Sequence, residues 1–230
     1  MGRLFDPETP VMQWLQKIAT VIFCGFFWVL CCIPVITAGA ATTAMYRMMF
    51  NLREDKSSRT ADYFRVFARE FKKSTILWLI ELLCAALSGL CFYLILASEA
   101  ADTVILVSLL LFVTLFVILL FMFTFVYPLT AYFENTVGAT LKNGLLMALA
   151  HRHQSIPAMA LAMLPVIAAA VSSLISYEMF YYVIISILPV WVFVIIPLLA
   201  YVQSGLFLTV FRQYEPEETA PAGTEANTER

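Results

Sequence analysis

The sequence predicts an all-α protein, a polytopic bundle of about five transmembrane helices with short re-entrant or interfacial helices between them. Two observations predict this class. The 230 residues are 62% hydrophobic and only 13% charged, whereas soluble domains are close to half apolar and a quarter charged. The apolar residues also cluster in long runs, and about 20 mainly apolar residues are what a helix needs to cross a bilayer.

The apolar runs place the spans along the chain. They lie near residues 14–33, 74–97, 103–127, 156–176 and 181–208. We assign residues 1–212 to a single transmembrane domain. The remaining residues, 213–230, are rich in Glu, Ala, Pro and Thr. Because such a composition cannot bury enough apolar surface to fold, we expect a disordered acidic tail on the cytoplasmic side.

The segment after the first span decides the topology. Pro34 ends or kinks a helix because it has no backbone N–H group, and the small residues 38–43 allow neighbouring helices to approach closely. Residues 35–50 number about 16, fewer than most spans, so we interpret them as a broken, protein-buried, re-entrant element. A full crossing is the alternative, with six spans and the N-terminus inside. We assign to this element Pro34, Thr37, Gly39, Thr42 and Tyr46.

The basic residues indicate the orientation. Eight of the 14 Lys and Arg residues lie in residues 47–73, and none lies in the loops near 98–103 and 177–182. Cytoplasmic loops carry the excess of Lys and Arg. We therefore expect residues 47–73, the loop 138–157 and the C-terminus to be cytoplasmic. With an odd number of spans, the N-terminus lies outside.

Residues 61–73 have the pattern of an amphipathic helix. Phe64, Phe67 and Phe71 recur at intervals of three and four and share one helical face. A basic helix with an aromatic face lies at the membrane interface, and its charge could also attract a protein partner or an anionic lipid. The candidate docking residues here are Arg65, Arg69, Lys72 and Lys73.

The loop 138–157 predicts a second short amphipathic helix. Ala139, Gly144 and Pro157 resemble the loop through which binding-protein-dependent import permeases couple to their ATPase. That loop has Glu and Asp where this chain has Gly138 and Asn143. A degenerate ABC permease is therefore a lesser alternative, with Asn143, Gly144 and Pro157 as its docking residues.

Glu81 lies inside the second predicted span. An ionisable group at that depth is costly and is by default a functional candidate. It could line a polar path, or it could form a buried hydrogen bond with a neighbouring helix. The fifth span offers Gln203 and Tyr201 as partners, and we take Glu81, Gln203 and Tyr201 as one candidate intramembrane polar site.

The sequence contains no recognisable catalytic constellation. Its two histidines, His151 and His153, lie in one loop, and its five cysteines form no CxxC pair. It also lacks the glycine-rich loop that binds phosphate groups. We expect neither catalytic residues nor a metal site, no cofactor, and no enzymatic activity.

Three segments resemble the YesL-like family of bacterial membrane proteins, whose activity is not established. They are residues 4–10 (LFDPETP), 28–46 (WVLCCIPVITAGAATTAMY) and 63–79 (YFRVFAREFKKSTILWL). Members of that family tend to be encoded beside carbohydrate uptake and sensing systems. The resemblance implies a location in the bacterial plasma membrane and an auxiliary role in sugar import.

Two functions follow as hypotheses. The first is an accessory subunit of a carbohydrate ABC importer or of a sensor kinase. The second is a small secondary transporter or channel-like protein that uses Glu81 and the broken element at residues 34–46. Beyond the lipid bilayer, the expected partners are the importer subunits, the kinase, or further copies of the same chain. We expect no nucleic acid partner.

Overall fold

A computed structural model describes residues 10–56, 59–98, 101–175, 178, 181 and 190–214. Helices make up nearly all of these residues, and none of them lies in a strand, which confirms the predicted all-α bundle. The described residues form seven α-helices: α1 (Pro10–Cys32), α2 (Ala38–Arg53), α3 (Thr60–Leu96), α4 (Asp102–Tyr132), α5 (Val137–Ala150), α6 (Arg152–Ile175) and α7 (Ile196–Phe211). A 3₁₀ turn, Val35–Thr37, precedes α2, and a π-helical turn, Trp191–Ile195, leads into α7.

Four helical segments in the described part of the chain are long and apolar enough to cross a membrane. They are Trp14–Cys32, Thr60–Leu96, Asp102–Tyr132 and Val192–Tyr214. The predicted span at residues 156–176 falls on α6, whose 24 residues would extend about 36 Å. The predicted span at 181–208 is described continuously only from residue 190, and the acidic tail beyond Tyr214 lies outside the described residues.

The interfacial helix expected at residues 61–73 and the span expected at 74–97 form one continuous helix. This helix, α3, has 37 residues. Its start is fixed by Asp62, whose carboxylate accepts the backbone N–H of Arg59 at 2.9 Å. No Gly or Pro occurs between residues 60 and 88, so the change from charged to apolar composition at Ser74 does not end the helix.

The α1 and α2 helices form a hairpin. The chain turns after Cys32, and the Thr37 hydroxyl donates to the carbonyls of Cys31 and Pro34. The α2 helix then runs back along α1. Two contacts show this: Trp28 Nε1 donates to Thr42 Oγ1 at 3.0 Å, and Lys17 Nζ lies 2.8 Å from Asp55 Oδ1. The start of α1 and the end of α2 therefore lie at the same end of the bundle.

This hairpin bears on the expected topology. The Lys17–Asp55 ion pair joins the start of α1 to the turn after α2. The 16 residues of α2 extend about 24 Å, less than the hydrocarbon core of a bilayer, and α2 is not among the four described segments that are long and apolar enough to cross a membrane. The re-entrant interpretation of residues 35–50 and the side on which the N-terminus lies stay predictions.

Asp55 closes the end of α2. The N–H of Lys56 donates to the Asn51 carbonyl at 2.9 Å, as in a Schellman motif. Asp55 occupies the left-handed position of that motif with φ of 51°. Glycine is usual there, and a side chain costs about 1–2 kcal/mol, least for Asn and Asp. The Asp55 carboxylate pairs with Lys17.

The α2 helix lies at the centre of the bundle. It packs against α1, α3, α4 and α7. At its start Gly39 lies against α3, where an added Cβ would overlap the Ser74 carbonyl oxygen. One turn later the hydroxyls of Thr43 and Ser74 hydrogen-bond at 2.9 Å. At its end Phe50 packs edge-to-face on the rings of Tyr132 and Phe211, 5.5 and 6.0 Å away.

Candidate functional site

The Glu81 carboxylate binds a partner on α4. The Tyr127 hydroxyl donates to Glu81 Oε2. Around this pair the two helices are apolar, with Leu77 and Val126 fully buried between them. The hydrogen bond therefore joins α3 to α4, a partner that the sequence analysis did not consider for Glu81.

The structure does not bring Gln203 or Tyr201 to Glu81. The α3 helix packs on α2 and α4 and has no more than slight contact with α7, which packs on α1, α2, α4 and α6. Gln203 is buried, accepts the Tyr46 hydroxyl at 2.6 Å and donates to the Ala158 carbonyl at 2.8 Å. Gln203 therefore joins α2, α6 and α7, and the predicted three-residue site is in fact separate clusters.

Arg53 organises the second cluster. Its Nε lies 2.9 Å from both the Tyr201 carbonyl and Ser204 Oγ, and its Nη2 lies 2.7 Å from the same carbonyl. The guanidinium also lies over the Tyr201 ring, 4.4 Å from its centroid. An added Cβ at Gly205 would be 2.7 Å from Arg53 Cζ. Gly205 thus makes room for the arginine against α7.

The sequence analysis treated Arg53 and Arg47 only as charges that set orientation. Arg47 in fact donates to the Ala131 carbonyl near the end of α4, at 3.2 Å. The signal that could have located the Arg53 contact is Gly205, since a glycine inside an apolar helix often marks a close approach. No comparable signal indicates the Arg47 contact.

Two further polar atoms lie near Glu81 in sequence. Thr75 Oγ1 and Trp78 Nε1 are buried and have no hydrogen-bond partner among the described residues. Residues three apart are neighbours on a helix surface, so Trp78 neighbours both Thr75 and Glu81 on α3. An unpartnered buried donor is uncommon in a native structure.

The predicted basic surface on α3 divides into two parts. Arg69 and Lys73 each lie 2.9 Å from the carboxylate of Glu70, whose side chain is only 8% exposed. These two residues stabilise a buried charge. Arg65 pairs with Asp62 at 3.0 Å but stays 77% exposed, and Lys72 is exposed. Arg65 and Lys72 are therefore the residues available to a partner.

The residues of the predicted coupling loop do not form one surface. Gly144 is buried, and an added Cβ would lie 3.3 Å from the Met122 carbonyl oxygen. It serves the packing of α5 on α4. Asn143 is half-buried, and Pro157 is exposed on the following helix, α6. Gly144 is thus not available for docking.

The residues of the predicted helix break serve packing between helices. Thr42 accepts from Trp28, Tyr46 donates to Gln203, and Gly39 touches α3. Thr37 holds the turn, and Pro34 is exposed. In the part of the chain that the structure describes, no three potential metal ligands lie together.

The distal halves of α3 and α4 form an arm that the other described residues do not bury. The most apolar 18-residue stretch of each helix contains no buried residue. The arm is held together by contacts such as that of Phe92 and Phe112, whose ring centroids are 5.6 Å apart. Gly89 lies on this arm, and an added Cβ there would meet no atom within 4 Å.

By composition and fold the chain has the architecture of a polytopic α-helical membrane protein. Residues 21–92 match the model of a family described as "Protein of unknown function, DUF624". This similar region begins within α1, includes all of α2 and ends near the end of α3. No curated protein and no solved structure matches the chain.

Proposed function

We propose that the chain is an accessory subunit that binds another assembly in the bacterial plasma membrane and modulates it. The observation that carries this proposal is the arm of α3 and α4, whose most apolar stretches contain no buried residue in the part of the chain that the structure describes. Lipid alone could cover such an arm. Gly89, which lies on this arm, favours a helix of another subunit as its cover.

Glycine marks close approach of helices elsewhere in this bundle. An added Cβ at Gly25, Gly39 or Gly205 would overlap a neighbouring element, and one at Gly144 would be tightly packed. Gly89 has no such neighbour. Together with Ala85 it makes a small-xxx-small pair, the pattern that lets membrane helices associate. A helix of another subunit would occupy this open face.

The class of partner comes from the resemblance to YesL-like proteins, with which the DUF624 match is consistent. Their association with carbohydrate systems favours a carbohydrate ABC importer or a sensor kinase. The exposed Arg65 and Lys72 lie at the opposite end of α3 from the arm. They offer the partner a second contact on the cytoplasmic side.

Purification from the native host in mild detergent, followed by mass spectrometry, tests this proposal. We expect permease and ATPase subunits, or a kinase, to accompany the wild-type chain and to be lost from Gly89→Leu. The matched control is Gly138→Leu on α5, because an added Cβ at Gly138 also meets no atom within 4 Å. A wild-type chain that purifies as a single species would contradict the proposal.

Substitutions of the basic residues on α3 differ in their expected effect on folding. Changing Arg69 or Lys73 would remove one of the two cations that pair with the buried Glu70, and a loss of binding could then reflect misfolding. The double variant Arg65→Ser with Lys72→Ser avoids this problem. We expect it to weaken partner recovery while the unfolding temperature stays unchanged.

A small secondary transporter is the second candidate. It is favoured by the cluster of Glu81, Tyr127, Thr75 and Trp78, which places a carboxyl group and two unpartnered polar atoms on apolar helices. Flux into vesicles containing only the purified chain tests it. Glu81→Gln should abolish flux without loss of folding, and flux that persists in Glu81→Gln would exclude this role for Glu81.

A further inference from the structure

An apolar groove of about 310 Å³ runs between α1 and the start of α7. Trp14 and Ile18 line it from α1, and Val194 and Leu198 line it from the other side. These four side chains are between 37% and 67% exposed, so the groove opens on the outer surface of the bundle. Its volume is in the range of sites that bind small ligands.

The lining of the groove is almost wholly apolar, and the cationic groups lie at its edge. Lys17 and Tyr201 belong to the lining, and beside them Arg53 lies over the Tyr201 ring. Arg53 Nη1 makes no hydrogen bond with any residue that the structure describes, unlike its Nε and Nη2. Asp55 is the carboxylate that pairs with Lys17, and its side chain is 77% exposed. Two cations and one carboxylate leave this edge positive.

We propose that this groove binds an anionic phospholipid, with one acyl chain against Ile18 and Leu198 and the phosphate group against Lys17 and Arg53. The apolar walls suit an acyl chain, and basic pockets between membrane helices suit anionic headgroups. Trp14 belongs at the level of the headgroups, where tryptophan is enriched. The Lys and Arg residues within 56–73 follow at the same end of the bundle. They are expected on the side of the membrane whose leaflet carries anionic lipid.

The Lys17–Asp55 ion pair sets the affinity of the site. The Asp55 carboxylate competes with the lipid phosphate for Lys17, so removing its charge should tighten binding. Both side chains reach solvent, and exposed ion pairs contribute little to stability. Lys17 and Asp55 can therefore be changed without unfolding the protein.

Native mass spectrometry of the purified chain, with phosphatidylglycerol and phosphatidylcholine added in equal amounts, tests the proposal. We expect phosphatidylglycerol to be retained in preference. Lys17→Gln should weaken its retention about fivefold, the effect of one lysine near an anionic surface, and Asp55→Asn should strengthen it by a similar factor. Lys142→Gln, on the exposed side of α5, is the matched control and should leave retention unchanged.

Filling the groove provides an independent test. Leu198→Trp should reduce the retention of phosphatidylglycerol and phosphatidylcholine alike, because it occupies the space of the acyl chain. Equal retention of the two lipids by the wild-type chain would overturn the proposal. So would an equal loss in Lys17→Gln and Lys142→Gln. The result does not depend on any protein partner, so it stands apart from the accessory role.

Discussion

At the residue scale, glycines determine how closely the helices of this bundle pack. Gly39 and Gly205 leave room for the α3 backbone and for the Arg53 guanidinium, respectively. A larger residue at either position must displace a neighbour, whereas Gly89 and Gly138 have open space. Residues of the same type thus serve packing at some positions and remain free at others.

Substitution of Gly39 by Ala should lower the free energy of unfolding by about 1–3 kcal/mol, because the new Cβ would overlap the Ser74 carbonyl oxygen. The same change at Gly89 should raise it by about 0.5–1 kcal/mol, since alanine favours a helix interior and meets no neighbour there. Denaturant unfolding in detergent, followed by circular dichroism, measures both. Destabilisation of equal size at both positions would contradict the packing described for α2 and α3.

Single residues show where sequence reasoning succeeds and where it ends. Glu81 was found from its position in an apolar run, because a lone carboxyl stands out there. Its partner Tyr127 was not found, since tyrosines are common in this chain and nothing in the sequence pairs residues 46 positions apart. The contacts of Arg53 with α7 have a sequence signal on one side only, the glycine at position 205.

At the element scale, helix α2 connects most of the bundle. Its Tyr46 binds Gln203 of α7, which in turn binds the Ala158 carbonyl of α6. The sequence predicts the break at Pro34, because proline has a local effect on the backbone. It does not decide between a re-entrant element and a crossing helix, because that depends on the packing of α2 against four other helices.

Replacing Tyr46 by Phe should lower the free energy of unfolding by about 1–3 kcal/mol, since the buried Gln203 Oε1 would lose its donor. Tyr93→Phe is the matched control, because Tyr93 is 65% exposed on α3. Its effect should stay within about 0.5 kcal/mol. Thermal unfolding of the two variants in the same detergent provides the comparison, and equal effects would rule out a stabilising Tyr46–Gln203 bond.

The length of α3 shows that a change in residue composition does not by itself mark the end of a helix. The change from charged to apolar residues at Ser74 suggested two elements, but the helix continues because no helix-breaking residue intervenes. Proline is not a sure signal either, because Pro128 lies inside α4, which runs on to Tyr132. At Pro34, in contrast, the chain does turn.

At the scale of the whole molecule, the Lys17–Asp55 ion pair places the start of α1 beside the end of α2, and we therefore expect the N-terminus and the basic residues after α2 to share one side of the membrane. A tag at the N-terminus and a thiol introduced at Asp55 should both react from the cytoplasmic side in inverted vesicles. The thiol experiment requires a background without the five native cysteines, all of which are free. Reaction of the N-terminal tag and of the thiol at position 55 from opposite sides of the membrane would contradict the hairpin of α1 and α2.

The molecule also divides into a packed body and the uncovered arm of α3 and α4. The body holds the buried clusters around α2. The most apolar stretches of the two arm helices contain no buried residue in the described part of the chain. Apolar composition predicted both regions as spans, because lipid and a neighbouring helix favour the same residues. Only the structure shows which apolar faces are already covered by the chain.

The most direct test of the accessory role is photo-crosslinking from position 89 in native membranes. A crosslinking amino acid in place of Gly89 should join the chain to a different polypeptide, because this face is open within the chain. The same amino acid at Gly138 should not yield that product. Adducts from position 89 with lipid alone, or only with a second copy of the chain, would contradict the proposed function.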